Sequence, residues 1–242
     1  MAILINVFLL SLLLALPSGV LAAPQYCMDP SQAASDFYMH PREVDFIHVL
    51  APPPAPDSPA GRADLQAVLE AQRARTPASI ESARADACLS IFRFADVMGP
   101  GFAPERLPFT IVLFQHVFTD EQEAVAAAKD HFKRPRPFVA DHELSPIVKQ
   151  RANPSYPSGH ATFAYVTAIL LADMVPEKAP QIFARATEYA HNRVVAGVHY
   201  PTDVEAGRVT GAVIDNVLLH DPRFNADLAR AKAEVRRAVG VR

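Results

Sequence analysis

The chain has 242 residues, 50% of them hydrophobic, with 23 basic against 26 acidic side chains, a formal charge of −3 and a pI near 6.3. That length buries one substantial core and demands no second globular domain. The basic residues are dispersed among acids except around positions 129–136, which argues against a nucleic-acid-binding surface, and no internal repeat, phosphate-binding Gly-rich loop ending in Lys-Ser/Thr or cysteine pair at metal-ligand spacing occurs.

Residues 1–22 carry no charged side chain, run apolar from Ile3 to Leu16, break at Pro17-Ser18-Gly19 and close on Val20-Leu21-Ala22-Ala23. This is the form of a secretory signal peptide, although its start offers only the α-amino group as positive charge. The apolar run is shorter than the ~20 residues that a membrane span needs. Export to the periplasm is therefore the expectation, with no stable membrane insertion of the remainder. Cys27 and Cys88, the only cysteines, would then lie in an oxidising compartment where two thiols often pair. A bridge tying the mature N-terminus to a helix, and two unlinked thiols, both stay open at this point.

Residues 23–61 read as an extended, proline-rich segment, in which Ala51-Pro52-Pro53-Pro54-Ala55-Pro56-Asp57-Ser58-Pro59 forms a polyproline-like strap. Residues 62–242 read as an all-α domain, a helical bundle. Arg62 to Arg75 places Leu65, Val68 and Leu69 on one stripe. Thr76 caps a second helix with Pro77 at its first position, carrying Ile80, Ala83, Ala87, Ile91 and Phe94 inward as far as Gly99-Pro100-Gly101. A third runs from Pro104 to Phe118, and Thr119-Asp120-Glu121-Gln122 reads as a capping box opening a fourth, which stops before Pro135. Ser158 to Met174, Glu177 to Ala196, Pro201 to Leu219 and Asn225 to Val239 supply the rest, and no segment alternates with period two.

Three motifs fall at helix ends, where backbone N–H groups and partial charges remain available. The first runs from Lys129 through Lys133-Arg134-Pro135 to Arg136-Pro137, and the prolines on either side of Arg136 hold its backbone extended. The second is Pro157-Ser158-Gly159-His160: Ser158 suits an N-cap, and Gly159 allows a ligand close to the amides. The third is Arg193 to Asp203, in which Gly197 can end one helix and Pro201 begin the next, leaving His199 in the corner between them. Asp203, in the first turn of the new helix, can accept from one ring nitrogen of His199 and leave the other as a lone pair. Each motif alone also fits an ordinary helix cap, core histidine or solvated charge run. Together they provide three fixed cations, two imidazoles and one carboxylate, the set that holds and transfers a phosphoryl group.

Lys129-x6-Arg136-Pro137, Pro157-Ser158-Gly159-His160 and Arg193-x5-His199-x3-Asp203, taken in order, are similar to the tripartite signature of the type 2 phosphatidic acid phosphatase superfamily. With the leader, the size and the Tyr156-Pro157-Ser158-Gly159-His160 context, the chain resembles its secreted bacterial class A nonspecific acid phosphatases from about Phe37 onward. The resemblance implies a fold of the acid phosphatase/vanadium haloperoxidase type and a broad-specificity phosphomonoesterase. His199 would be the nucleophile, forming a phosphohistidine, with Asp203 setting its tautomer and His160 as general acid and then base. Lys129, Arg136, Arg193, Ser158 and the Gly159 amide would hold the phosphoryl oxygens. It implies no metal and no cofactor, phosphomonoesters as substrates, inorganic phosphate or vanadate as inhibitors, and no nucleic-acid partner; a homo-oligomer is left open. One departure is Asn192, where the family commonly has Ser, which bears on substrate orientation. A vanadium-dependent haloperoxidase, which would use the same cationic cage, and a catalytically silent phosphate-binding protein are the alternatives.

Overall fold

The computed structural model describes residues 26–28, 38–40 and 43–241. The signal-peptide reading of residues 1–22 lies outside the described residues. The short helix α1 (Phe46–Val49) precedes the proline strap, and α2 (Pro59–Arg73) and α3 (Pro77–Ala85) follow it. Ser58 and Thr76 start the latter two for one reason: each side-chain oxygen accepts a first-turn N–H, while proline fills a position where no donor is lost.

The second helix expected to continue through Phe94 stops at Ala85 instead. Asp86 caps it, and the Asp86 carboxylate is taken by Arg93, Arg185 and Asn192. Ile91 and Phe94 still reach the core, from a 3-10 turn (Ile91–Phe94) that leads into α4 (Ala95–Met98) and ends at Gly99 with φ 102°.

The third and fourth expected helices are one helix, α5 (Pro108–Phe132), after a 3-10 turn at Pro104–Arg106. Thr119 caps nothing: it is buried inside the helix and its Oγ1 donates back to the Gln115 carbonyl at 3.1 Å. A capping signature with no helix breaker before it does not interrupt a helix whose neighbours on both sides are apolar. The start of α5 is capped from elsewhere, because Glu234 accepts the N–H groups of Phe109 and Thr110 at 3.2 and 2.7 Å.

After the short α6 (Pro137–Ala140) come α7 (Gly159–Met174), α8 (Ala179–Val195), α9 (Pro201–Leu218) and α10 (Pro222–Val239). The last begins at Pro222 rather than Asn225, because the Asp221 carboxylate accepts from the Arg223 and Phe224 amides. Apolar on almost every side, α7 is the central helix, packed against α5, α8, α9 and α10. Its approach to α9 is close: a Cβ on Gly207 would lie 2.6 Å from the Ser158 carbonyl oxygen and 2.7 Å from the Ala161 Cβ. Among the described residues there is no strand, and no helix is long and apolar enough to cross a membrane. The all-α expectation holds.

Cys27 and Cys88 are joined as a disulfide. The chain before α1 is held a second time by Asp120 of α5, whose Oδ2 accepts the N–H groups of Tyr38 and Met39 at 3.0 and 3.1 Å. Burial pushes the Asp120 carboxyl up to about 7 against the pull of those donors. A carboxyl raised in the folded state contributes stability that is complete below its unfolded pKa, ~4, and is lost as pH climbs through the folded value. Lys129, His160 and His199 are shifted down and act with the opposite sign in overlapping ranges. The difference between two proteins isolates Asp120. Asp120→Asn, which keeps an acceptor for both amides, is expected to gain several degrees of Tm over wild type between pH 4 and about 7 and hold the gain above. A Tm difference that is the same at pH 4 and pH 8 would refute it.

Candidate active site

Lys129 leaves the last turn of α5, and Lys133, with φ 49°, ends that helix in the left-handed conformation. The buried Lys129 ammonium donates to the carbonyls of Pro154, Ser155 and Pro157 at 2.8, 3.2 and 2.6 Å, so it gathers the loop before α7 around itself. Burial, then the charge of Arg136, lowers its pKa to about 7. Arg136 donates to the Asn153 carbonyl and side chain at 2.9 and 2.8 Å, to the Val198 carbonyl at 2.8 Å, and to His199 Nε2 at 3.2 Å. Burial holds its guanidinium down at about 10.

Ser158 is the N-cap of α7; its Oγ accepts the Ala161 N–H at 3.3 Å and its own N–H donates to the Asp203 carbonyl at 3.0 Å. The second and third motifs are thereby joined through the backbone. A Cβ on Gly159 would meet only Gln122 and Val125, both at 3.8 Å, so protein packing does not demand glycine there. The space it leaves belongs to the cavity that Gly159 lines. His160 is half-buried and its Nε2 faces the Ala87 carbonyl at 3.2 Å. Burial, then the Arg193 charge, keeps its pKa well below that of a free imidazole.

Gly197, with φ 76°, ends α8 and Pro201 opens α9, so His199 occupies the corner as the spacing predicts. His199 Nδ1 lies 3.3 Å from Asp203 Oδ2, and the same oxygen accepts the Tyr200 N–H at 2.9 Å. Arginine has no acceptor, so the contact from Arg136 requires a lone pair on Nε2 and leaves the proton on Nδ1, facing the carboxylate. Burial lowers the His199 pKa well below the usual value, and Arg136, Lys129 and Arg193 reinforce the shift. Burial pushes Asp203 up, opposed by Arg134. Arg193 is buried behind the two rings, donating to the Asp86 carbonyl at 3.4 Å, while its Nε has no partner among the described residues.

Lys129, Arg136, Gly159, His160 and His199 thus line one cavity of about 90 Å³. Ser158, Arg193 and Asp203 stand behind it. Sequence reasoning missed several residues that complete the arrangement. Arg134 donates to Asp203 Oδ1 at 2.6 Å, to Thr202 Oγ1 at 2.8 Å and to Asp64 Oδ2 at 2.7 Å, with its guanidinium 3.9 Å above the Tyr200 ring. Asp64 and Asp86 are buried acids supplied by α2 and the end of α3. The one sequence signal for each is an acid on an apolar face, Asp64 four residues before Val68 and Asp86 three after Ala83. Asn192, expected near the phosphate, instead donates to Asp86 Oδ2 at 2.7 Å and Ser82 Oγ at 3.0 Å. Arg151 and Asn153 also line the cavity, and nothing in their spacing marks them.

A helical domain with two imidazoles set in a cationic pocket defines the class. Its family follows from comparison with known proteins: the profile of the PAP2 superfamily matches residues 107–227, and this chain belongs to that superfamily. It is 31% identical over 214 residues to the non-specific acid phosphatase of Salmonella typhimurium, covering 85% of this chain and 86% of that one. The acid phosphatase of Zymomonas mobilis is 28% identical over 239 residues, covering 93% and 89%. Among solved structures, the first bacterial vanadium-dependent iodoperoxidase matches with a TM-score of 0.55 at 19% identity, over 71% of this chain and about half (52%) of that one. That likeness is one of fold alone. The sequence resemblance to the nonspecific acid phosphatases is borne out.

Proposed function

We propose that this chain is an exported acid phosphatase that hydrolyses a broad range of phosphomonoesters through a phosphohistidine. The observation that carries the reading is the single cavity lined by both imidazoles, Lys129 and Arg136, with Asp203 bonded to the far side of His199. His199 Nε2 attacks phosphorus, the P–N bond forms and the ester P–O bond breaks, with Asp203 supporting the imidazolium. His160 gives its proton to the departing alkoxide. It then takes one from the incoming water, which displaces Nε2 and releases inorganic phosphate. Lys129, Arg136, Arg193, Ser158 and the Gly159 amide meet the charge on the equatorial oxygens as the transition state forms.

The electrostatics favour acid pH. His199, held neutral by burial and by three cations, remains a nucleophile where a free imidazole is protonated. His160 is also held deprotonated, so it takes up its proton together with the substrate dianion, whose charge reverses the effect of Arg193. Lys129, near 7, loses its charge on the alkaline side. The disulfide supports export, since such bonds persist in oxidising compartments. Phosphate and vanadate, filling the same pocket, act as competitive inhibitors.

The purified chain lacking residues 1–22 is expected to release 4-nitrophenol from its phosphate ester, equally with and without chelator. Its kcat/KM is expected to peak at acid to near-neutral pH and to fall on the alkaline side as Lys129 loses its charge. Phosphate binding without turnover, or a rate still rising above pH 8, would overturn the reading.

A further inference from the structure

The cations of the pocket are not equally occupied. Lys129 spends its donors on three carbonyls, and Arg136 on Asn153, Val198 and His199. Arg134 is enclosed by Asp64, Thr202 and Asp203. Arg151 is exposed and, among the described residues, makes no hydrogen bond or ion pair. It nevertheless borders the catalytic cavity, and its charge is felt at Lys129, Arg136, His160 and Arg193.

Arg151, Arg136 and Asn153 line a second space as well, an outer cleft of about 420 Å³ that also meets Lys133. Lys133 is the exposed residue that ends α5, and its side chain likewise has no partner among the described residues. Among the described residues no carboxylate lines the cleft; Gln150 and Asn153 supply its neutral polar groups, and Phe138 and Val139 an apolar wall. A guanidinium and an ammonium without counter-ions, opening from the cavity where a phosphoryl group would react, form a receptor for a further anion.

We infer that this outer cleft binds a second phosphate carried by the leaving group, so that bisphosphate esters are preferred over otherwise identical monophosphates. The inference rests on the phosphatase reading above and adds a substrate class to it. Arg151 contacts the second phosphate at the mouth of the cavity, and Lys133 meets it from the α5 side. The apolar wall packs against the carbon chain between the two phosphates.

A matched pair of esters, of which the bisphosphate is symmetric, tests this without ambiguity about which bond breaks: butane-1,4-diol bisphosphate and 4-hydroxybutyl phosphate, with release of inorganic phosphate as the readout. Having two identical ends gives the bisphosphate about a twofold advantage, and two partly exposed charge pairs add a further factor of roughly three to ten in kcat/KM. The combined Arg151→Gln and Lys133→Asn variant is expected to bring the ratio of the two kcat/KM values back to about two, and added salt to narrow the ratio in wild type. Both positions are exposed, and asparagine suits the left-handed backbone at 133, so a folded variant is expected by circular dichroism. A wild-type ratio of about two or less, or a ratio unmoved by the double substitution, would overturn the inference while leaving the phosphatase reading standing. Failure to hydrolyse either ester would remove both.

Discussion

His199→Ala is expected to reduce kcat by on the order of 10⁴-fold or more, because it removes the atom that forms the covalent bond and leaves only unassisted attack by water. The ring lies in the corner between α8 and α9, with Nδ1 facing Asp203 and Nε2 facing the cavity side that Arg136 occupies. Alanine there leaves the cationic lining intact, so phosphate should still bind while turnover disappears. Rapid alkaline quenching of wild type with radiolabelled ester should trap a phosphoramidate, labile in acid and stable in base, that the variant lacks. Retention of more than about a tenth of the activity would show that another group attacks phosphorus. Asp203→Asn should be milder, about 10² to 10⁴, because an amide can hold the ring but neither fixes the tautomer nor supports the imidazolium.

The second large effect concerns a residue that touches no reacting atom. Gly207→Ala places a methyl group 2.6 Å from the Ser158 carbonyl oxygen, 2.7 Å from the Ala161 Cβ and 3.0 Å from the Thr162 nitrogen. Two of these are backbone atoms of the central helix, so no flexible side chain can move aside. Separating α9 from α7 is expected to cost about 3 kcal/mol or more, a fall in Tm of roughly 6–12 °C. The strain also falls on the site, because Ser158 N–H is bonded to the Asp203 carbonyl. Activity should therefore drop even at temperatures where the variant is folded. Gly159→Ala is the contrasting case: its nearest protein atoms are at 3.8 Å, so stability should change by less than about 1 kcal/mol while the added methyl occupies the cavity and impairs turnover. Equal thermal stability of Gly207→Ala and wild type in a melting experiment would refute the close packing described here.

Much of this arrangement is legible in the amino-acid sequence. His199 could be put in a corner because Gly197 and Pro201 each act locally, one by its left-handed backbone and the other by its ring. Thr76 and Ser158 likewise mark their helix starts through hydrogen bonds that span only three residues. Local signals misled where tertiary contacts outweighed them. Thr119 reads as a cap yet lies mid-helix, and the helix expected through Phe94 ends at Ala85, capped by Asp86, on whose carboxylate Arg93, Arg185 and Asn192 converge.

The sequence by itself determined the all-α class, the helix ends that carry the three motifs and the chemical kinds of group available, since these follow from periodicity, capping and residue type within a few turns of chain. Only the tertiary structure decided which cations serve the cavity and which are consumed by the protein. Arg134, Arg136 and Arg151 lie within 18 residues of one another in sequence. One is held by Asp64 from α2, one bonds Asn153 and His199, and one is left without a partner among the described residues. Whether a charge is spent or available depends on acceptors brought from distant segments, and sequence spacing says nothing of where those acceptors come to rest.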